Sequence, residues 1–302
     1  MATLNEKLAF ACHDFGMRGV SSYESSMIGG MAHIVNFMGT DTVSAVVGAK
    51  RYYNSEVSAF SIPASEHSIS SAWGPENEVG YATNMVDTFG KDFGLFATVA
   101  DTYNVYEYVK ILGTALKDKV IALGESGKTW VVRPDSGDPT VVPIEVIELL
   151  MAYFGYTVND KGYKVLPSYI RVIQGDGVNA QSIETILSNM KAKGICADNI
   201  AFGMGGALLG SPQRDDQKFA LKASMVKIDG VWRGIKKDPI TDPGKKSKTG
   251  FLKLVKCGTA FETISSYDNN YADFEDCLRP IYRNGELLVD DDFSIIRERA
   301  SL

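Results

Sequence analysis

The stretch Trp130-Val131-Val132-Arg133-Pro134-Asp135-Ser136-Gly137 is a short apolar run, rich in β-branched residues, that ends in a polar turn containing glycine. Three similar runs lie at residues 95–100, 169–173 and 200–202, and each also ends at a polar or glycine-rich step. The sequence between the runs has helical periodicity. Strands that alternate with helices of about 10–15 residues indicate βαβ units and a parallel sheet. The chain is therefore predicted to be an α/β protein.

The two ends of the chain have a different pattern from the middle. Near the N-terminus, Ser21-Ser22-Tyr23-Glu24 is a capping-box pattern that opens a helix, and a second helix is predicted from near Thr40 to Tyr53. Near the C-terminus, Asp229-Gly230 lies between two apolar runs and predicts a β-hairpin. We predict an α/β core over residues 1–220. Residues 221–302 are predicted to hold the hairpin, a cationic loop and a C-terminal segment that packs on the core.

Composition excludes several classes of protein. The 302 residues carry a net charge of −6, which argues against binding to nucleic acid or to an anionic membrane through bulk charge. No apolar run is long enough for a transmembrane helix, and the first residues lack the pattern of a secretory signal. The four cysteines have no CxxC spacing, so neither a disulfide framework nor a zinc site is indicated. We expect a cytoplasmic protein.

Charged side chains follow the predicted strands. Because ligands of parallel α/β proteins sit at the carboxyl ends of the strands, these side chains are candidates for one site. Carboxylates there accept ribose hydroxyls or bind Mg²⁺, and arginine binds phosphate. The alternative for each aspartate is an N-cap of the helix that follows it. The candidates are Asp101, Arg133, Asp135 and Asp176.

Two further features are candidates for chemistry. His67 lies in a polar loop after a short apolar run, and it is the best of the three histidines for acid–base or nucleophilic work. The alternative is an ordinary surface histidine. Gly203-Met204-Gly205-Gly206 follows a strand and resembles a phosphate cradle, with Arg214 in the segment that it enters. Glycines also occur in tight turns between strand and helix, so that alternative stays open.

Several longer motifs together resemble one family, the nicotinamide phosphoribosyltransferases, from about His13 to the C-terminus. This family makes nicotinamide mononucleotide from nicotinamide and phosphoribosyl pyrophosphate. The resemblance implies an incomplete (β/α) barrel of the type II phosphoribosyltransferase kind, with a small antiparallel β element. The motifs are His13-Asp14-Phe15-Gly16-x-Arg18-Gly19, Asn36-Phe37-x-Gly39-Thr40-Asp41, Pro63-Ala64-x-Glu66-His67-Ser68, Arg133-Pro134-Asp135-Ser136-Gly137, Gln174-Gly175-Asp176-Gly177 and Ala201-Phe202-Gly203-x-Gly205-Gly206.

The resemblance implies roles for single residues around the reacting groups. Asp14 corresponds to the acid that binds the nicotinamide carboxamide and so favours the amide over nicotinic acid. His67 corresponds to the histidine that is phosphorylated when ATP hydrolysis is coupled to turnover. Arg133 corresponds to the arginine of the nicotinamide and pyrophosphate site. Acids around the ribose and the Mg²⁺-pyrophosphate are implied at Asp101, Asp135 and Asp176. No protein metal site is expected, because Mg²⁺ arrives with the pyrophosphate near Asp101 and Asp135.

Phosphate contacts are also implied. Gly205, Gly206 and Arg214 correspond to the cradle of the 5′-phosphate. Lysines that reach phosphates from a neighbouring subunit of the family's dimer are implied at Lys222, Lys237 and Lys245.

The resemblance leaves out the N-terminal part of the family, which supplies aromatic residues around the nicotinamide ring. We therefore expect either a catalytic part that needs a complementing N-terminal polypeptide or a homo-oligomer. An incomplete barrel also exposes strand edges, which favours oligomerisation. The alternative function is a non-catalytic homologue that binds nicotinamide mononucleotide or a phosphosugar as a sensor or assembly subunit.

Overall fold

The computed structural model describes residues 6–210, 223–236, 246–266 and 273–301. The chain divides into two compact units: Met1–Pro212 together with Asp291–Leu302, and Gln213–Asp290. The predicted boundary at residue 220 falls between described segments and stays a prediction. The strands of the first unit are β1 Cys12–Asp14, β2 Gly39–Thr40, β3 Leu95–Val99, β4 Thr129–Arg133, β5 Thr157–Val158, β6 Lys164–Val165, β7 Ile170–Gln174 and β8 Ile200–Met204.

Helices alternate with these strands, as the sequence pattern predicts. Ser22 caps the first helix by accepting from the Ser25 amide, and Gly194, with φ of +69°, follows the end of the eighth. The second helix begins three residues later than predicted, because residues 39–40 form a strand. The helices are α1 Tyr23–Asn36, α2 Val43–Tyr53, α3 His67–Trp73, α4 Glu78–Phe89, α5 Val105–Gly113, α6 Lys117–Glu125, α7 Val142–Phe154, α8 Ala180–Ala192, α9 Gly206–Leu209 and α10 Phe293–Ala300.

The first unit is built on one curled parallel sheet. Six strands lie in the order β2-β1-β8-β7-β4-β3, and every neighbouring pair is parallel. Its core is formed by large side chains that solvent does not reach, among them Trp130, Phe96 and Tyr108. The indole of Trp130 donates to Thr98 Oγ1 at 2.8 Å, so its polar atom is satisfied inside the core. The predicted α/β class with an incomplete parallel barrel is confirmed.

A short extended segment, residues 60–65, connects the two edges of this sheet. At β2, the Phe60 carbonyl accepts from the Thr40 amide at 3.0 Å. At β3, the Ala97 amide donates to the Pro63 carbonyl at 2.8 Å, and the Ser65 amide donates to the Ala97 carbonyl at 3.1 Å. The edges that we expected to be exposed are therefore partly covered by the chain itself.

The second unit consists of antiparallel hairpins in its described residues, as predicted for the C-terminal region. The turn Asp229-Gly230 joins β9 to β10, and both of its residues have positive φ. Beyond this unit, α10 packs against α1, where the Arg297 guanidinium donates to the Ile34 carbonyl at 2.9 Å. The strands are β9 Met225–Ile228, β10 Val231–Gly234, β11 Leu252–Cys257, β12 Ala260–Ser265, β13 Tyr282–Arg283 and β14 Glu286–Leu287.

A substitution at Gly203 in β8 tests the packing at the carboxyl end of the sheet. A Cβ at this position would lie 1.9 Å from Cε2 of Phe15, so the ring must move to accommodate alanine. We predict that Gly203→Ala lowers the free energy of unfolding by about 1–3 kcal/mol, measured by urea denaturation. Gly94→Ala is the matched control, because its Cβ would meet nothing within 4 Å. Equal effects of the two substitutions would contradict the packing described here.

Candidate active site

A cavity of about 390 Å³ lies at the carboxyl ends of the sheet strands. Polar side chains from β4 and the start of α3 meet there, together with residues that follow β1, β2, β7 and β8. This volume suits a small-molecule site. The cavity is lined by Phe15, Met17, Arg18, Asp41, Thr42, Glu66, His67, Arg133, Asp135, Gly175 and Gly205.

His67 lies between two carboxylates. It is the first residue of α3, and its Nε2 is 3.1 Å from Asp101 Oδ1. Its Nδ1 is 3.9 Å from Asp135 Oδ2 on the other side of the ring. The imidazole is 43% exposed and faces the cavity, whereas Asp101 is almost wholly buried. This placement disfavours the alternative of an ordinary surface histidine.

The carboxylate of Asp135 lies in a crowded, negatively charged environment. Burial raises its pKa, and the nearby carboxylates Asp101 and Asp176 raise it further, while Arg133 and His67 act in the opposite direction. Because like charges converge here, a cation bound beside Asp135 would lower its electrostatic free energy. Mg²⁺ is commonly held by one or two carboxylates and substrate phosphates, and Asp101 and Asp135 fit that donor set. No group of three or more potential metal ligands occurs within the described part of the chain.

Three of the candidate aspartates are not helix caps. The side chain of Asn104 caps α5, and that of Asn179 caps α8. The residue before α7 is Val141. Asp101 and Asp135 therefore do not owe their positions to capping. The same holds for Asp176, which is exposed after β7 and whose carbonyl accepts from Gln174 Nε2 at 2.8 Å.

Arg133 ends β4 and extends a nearly buried guanidinium to the cavity wall. Nη1 donates to Glu66 Oε1 at 3.3 Å, and Nη2 donates to Glu66 Oε2 at 3.4 Å. Nη2 also donates to the Ser65 carbonyl at 3.2 Å. Its buried Nε has no hydrogen-bond partner among the described residues. The arginine is thus held in place while part of its hydrogen-bonding capacity remains unused.

Asp14, which the resemblance implies for the carboxamide, ends β1 directly before Phe15 of the cavity wall. Its side chain is completely buried and is not part of the cavity wall. Oδ1 accepts from the Gly16 amide at 2.7 Å, and Oδ2 faces α1, 3.4 Å from where a Cβ on Gly30 would lie. Asp14 thus fastens the turn that carries Phe15 and Arg18, while its buried Oδ2 has no hydrogen-bond partner among the described residues. The contact with a carboxamide that the resemblance implies stays a prediction.

The carboxylate that does line this part of the cavity is Asp41. Its Oδ1 lies 2.9 Å from His13 Nε2 and accepts from Ser61 Oγ at 2.5 Å. Burial would raise the pKa of Asp41, but these hydrogen bonds and the charge of Arg133 hold it below its ordinary value. Asp41 is thus a stable anion beside Phe15 and Arg18.

The glycine-rich step after β8 reaches the same cavity. Gly205 lies on its wall, and Gly206 begins the four-residue helix α9. A side chain on Gly206 would meet nothing within 4 Å, so the backbone there is accessible. The other implied phosphate contacts lie outside the described residues. These are Arg214, Lys222, Lys237 and Lys245.

Phe15, Arg18, Asp41 and Glu66 line the cavity but were not singled out from the residues. The glycine within β8 carries a signal for Phe15, since a Cβ on Gly203 would overlap its ring. Gly175 makes room instead for the Asp135 carboxylate, whose Oδ1 would lie 2.6 Å from a Cβ there. For Asp41 the signal was its place in a polar step directly after a strand.

The fold and the cavity define an α/β barrel protein whose ligand site lies at the carboxyl ends of its strands. The profile of the nicotinate phosphoribosyltransferase (NAPRTase) family matches residues 10–286, and the chain belongs to this family.

Curated relatives agree with this assignment. Nicotinamide phosphoribosyltransferase of Xanthomonas campestris pv. campestris (strain 8004) is 46% identical in an alignment of 299 residues that covers 97% of this chain and 63% of the relative. The protein of the same name from Acinetobacter baylyi (strain ATCC 33305 / BD413 / ADP1) is 31% identical over 97% of this chain and 61% of its own length. The protein of the same name from Mycoplasma pneumoniae (strain ATCC 29342 / M129 / Subtype 1) is 36% identical over 80% of this chain and 53% of its own length.

The chain thus spans less than two thirds of the length of these relatives. In the part of the chain that the structure describes, no helix is both long and apolar enough to cross a membrane.

Proposed function

We propose that this chain carries the site at which a phosphoribosyl group is transferred from phosphoribosyl pyrophosphate to nicotinamide, giving nicotinamide mononucleotide and pyrophosphate in NAD salvage. The observation that carries the proposal is the convergence of Arg133, Asp135 and His67 with Phe15 and Asp41 on one cavity. An arginine suits pyrophosphate, and an aromatic ring beside a carboxylate suits an aromatic amide. The names of the relatives support the same reaction.

The charges around the cavity suit the transfer itself. The bond between ribose C1 and the pyrophosphate oxygen breaks, and the pyridine nitrogen of nicotinamide forms the new bond to C1. Positive charge develops on the ribose and negative charge on the leaving group. Asp101 and Asp135 would stabilise the first and hold the Mg²⁺ that accompanies the pyrophosphate, while Arg133 would stabilise the second. No protein nucleophile is required for this step.

Nicotinamide is the acceptor that Asp41 favours. The carboxamide can donate an N–H to the Asp41 carboxylate, and the ring can pack on Phe15 beside it. Nicotinate, which carries its own negative charge, would be repelled by an aspartate whose pKa lies below its ordinary value. We therefore propose Asp41 for the carboxamide contact that the resemblance implies at Asp14, because Asp41 lines the cavity.

ATP is proposed as a coupled substrate through His67. The γ-phosphoryl group would pass to an imidazole nitrogen as ADP leaves, and water would later hydrolyse the phosphohistidine. The exposed edge of the ring and its two flanking carboxylates support such a role. We further propose that a second copy of the chain or a complementing N-terminal polypeptide completes the site and supplies phosphate contacts.

The function is tested by incubating the purified chain with phosphoribosyl pyrophosphate, Mg²⁺ and ATP, with nicotinamide or nicotinate as the acceptor. Chromatography of the products is expected to give the mononucleotide of nicotinamide in excess. Added N-terminal segment of a relative tests whether a complementing chain is needed. Binding of nicotinamide mononucleotide without turnover, with or without that segment, would favour the non-catalytic sensor instead.

The roles of Asp41 and Asp14 can be distinguished by the preference for nicotinamide over nicotinate as the acceptor. We predict that Asp41→Asn lowers the ratio of kcat/KM for nicotinamide to that for nicotinate by about tenfold or more, because the charge that repels nicotinate is lost. Asp14→Asn is the matched control. It removes the same charge but keeps an oxygen that accepts from the Gly16 amide. A collapse of selectivity in Asp14→Asn with no change in Asp41→Asn would contradict this assignment.

ATP coupling is assigned to His67 alone. We predict that His67→Ala abolishes ATP hydrolysis coupled to turnover and leaves a slow transfer that does not depend on ATP. His67→Gln is expected to behave in the same way, since its amide can still hydrogen-bond Asp101 but cannot be phosphorylated as histidine is. Both rates are measured on the same preparations. Equal loss of the two rates in both variants would show that His67 serves the transfer step itself.

A further inference from the structure

We propose that Glu66 is an exchangeable counter-ion of Arg133, which pyrophosphate displaces from the guanidinium when it enters the cavity. Glu66 would thereby select polyanions over singly charged anions. This inference rests on the proposed function, because pyrophosphate is the leaving group of that reaction. It concerns the two contacts that hold Arg133, one of which is fixed and the other movable.

The fixed contact is the carbonyl of Ser65. The Ser65 side chain is buried, and its Oγ accepts from the Val99 amide at 3.0 Å. It also lies 2.5 Å from the hydroxyl of Tyr81, which in turn donates to the Val99 carbonyl at 3.1 Å. Ser65 is therefore fastened to β3 by buried hydrogen bonds. Its carbonyl keeps hold of Arg133 Nη2 when other partners leave.

The movable contact is the carboxylate of Glu66. Its side chain is 62% exposed, whereas that of Arg133 is only 9% exposed. Glu66 precedes α3, but its side chain does not cap the helix, so the carboxylate is not tied to the backbone there. Its two contacts with the guanidinium are long, at 3.3 and 3.4 Å. Such a half-solvated ion pair contributes little free energy, and the carboxylate can rotate into water at low cost.

The ion pair of Glu66 with Arg133 stabilises the guanidinium while the cavity holds no anion. A nearly buried guanidinium without a counter-charge is unfavourable, and Glu66 supplies that charge. A singly charged anion gains little by exchange, because it replaces one carboxylate with another ion of equal charge. Pyrophosphate carries several charges and can also reach Arg18, which lines the same cavity. It therefore outcompetes Glu66 where a monoanion does not.

The test is isothermal titration of the full chain with inorganic pyrophosphate in a buffer containing EDTA, so that Mg²⁺ does not contribute. We expect Glu66→Gln to bind pyrophosphate roughly threefold to tenfold more tightly than the unmodified chain. Glu56→Gln is the matched surface control, since it also removes one charge and one ion pair, with Lys50. Asp41→Asn is the control within the cavity. It removes a charge but frees no hydrogen bond of Arg133, and a smaller gain is expected.

Unchanged or weaker binding by Glu66→Gln would overturn the proposal, and so would an equal gain in Asp41→Asn. In either case binding by the unmodified chain would leave the proposed function standing. Absence of pyrophosphate binding in every protein tested would overturn the proposal, whereas the proposed function, in which Mg²⁺ accompanies the pyrophosphate, is decided by the turnover assay. Urea denaturation checks that each variant is folded, and Glu66→Ala is a second variant that also frees Arg133.

Discussion

The site depends on the hydrogen bonds between the Arg133 guanidinium and residues 65–66, which join β4 to the segment that precedes α3. Arg133 ends β4, which lies next to the edge strand β3, and residues 60–65 connect the edges of the sheet. A buried guanidinium needs partners, and the Ser65 carbonyl and Glu66 carboxylate provide them. Because α3 begins directly after Glu66, the same contacts place His67 between Asp101 and Asp135. Together with the backbone bridges of residues 60–65 to the sheet edges, Arg133 therefore fixes the start of α3, where His67 lies.

The opposite wall of the cavity depends on small residues and on a hydrogen-bonded anion. Gly203 in β8 leaves room for the ring of Phe15, which a Cβ there would displace. Asp41 stands beside that ring, and His13 and Ser61 keep it ionised. The cavity thus offers an aromatic ring and a carboxylate for an amide, and the guanidinium of Arg133 for phosphate. These are groups that the two substrates of the proposed reaction need.

The parallel sheet was predictable because its longer strands are apolar runs that can be recognised in the sequence. The functional candidates Asp101, Arg133 and Asp135 were predictable because they come at the ends of these runs. The burial of Asp14 was not predictable in the same way, since β1 has only three residues and too few positions to show which side chains face inward. Asp41 also follows a short strand, β2, but its side chain is half exposed, whereas that of Asp14 is completely buried. The closing segment was not predictable either, because it meets the sheet through isolated bridges rather than through a strand with a recognisable pattern. A C-terminal segment packed on the core was expected, but its contact with α1 joins distant parts of the chain, and sequence periodicity does not report such a contact.

The central claim is that the cavity at the strand ends is where both substrates meet. A crystal structure of this chain with nicotinamide, pyrophosphate and Mg²⁺ tests it most directly. The account predicts the nicotinamide ring against Phe15 with its carboxamide at Asp41, and pyrophosphate on Arg133 with the Glu66 carboxylate moved away. Ligands bound elsewhere on the chain, or a carboxamide held by Asp14, would contradict it.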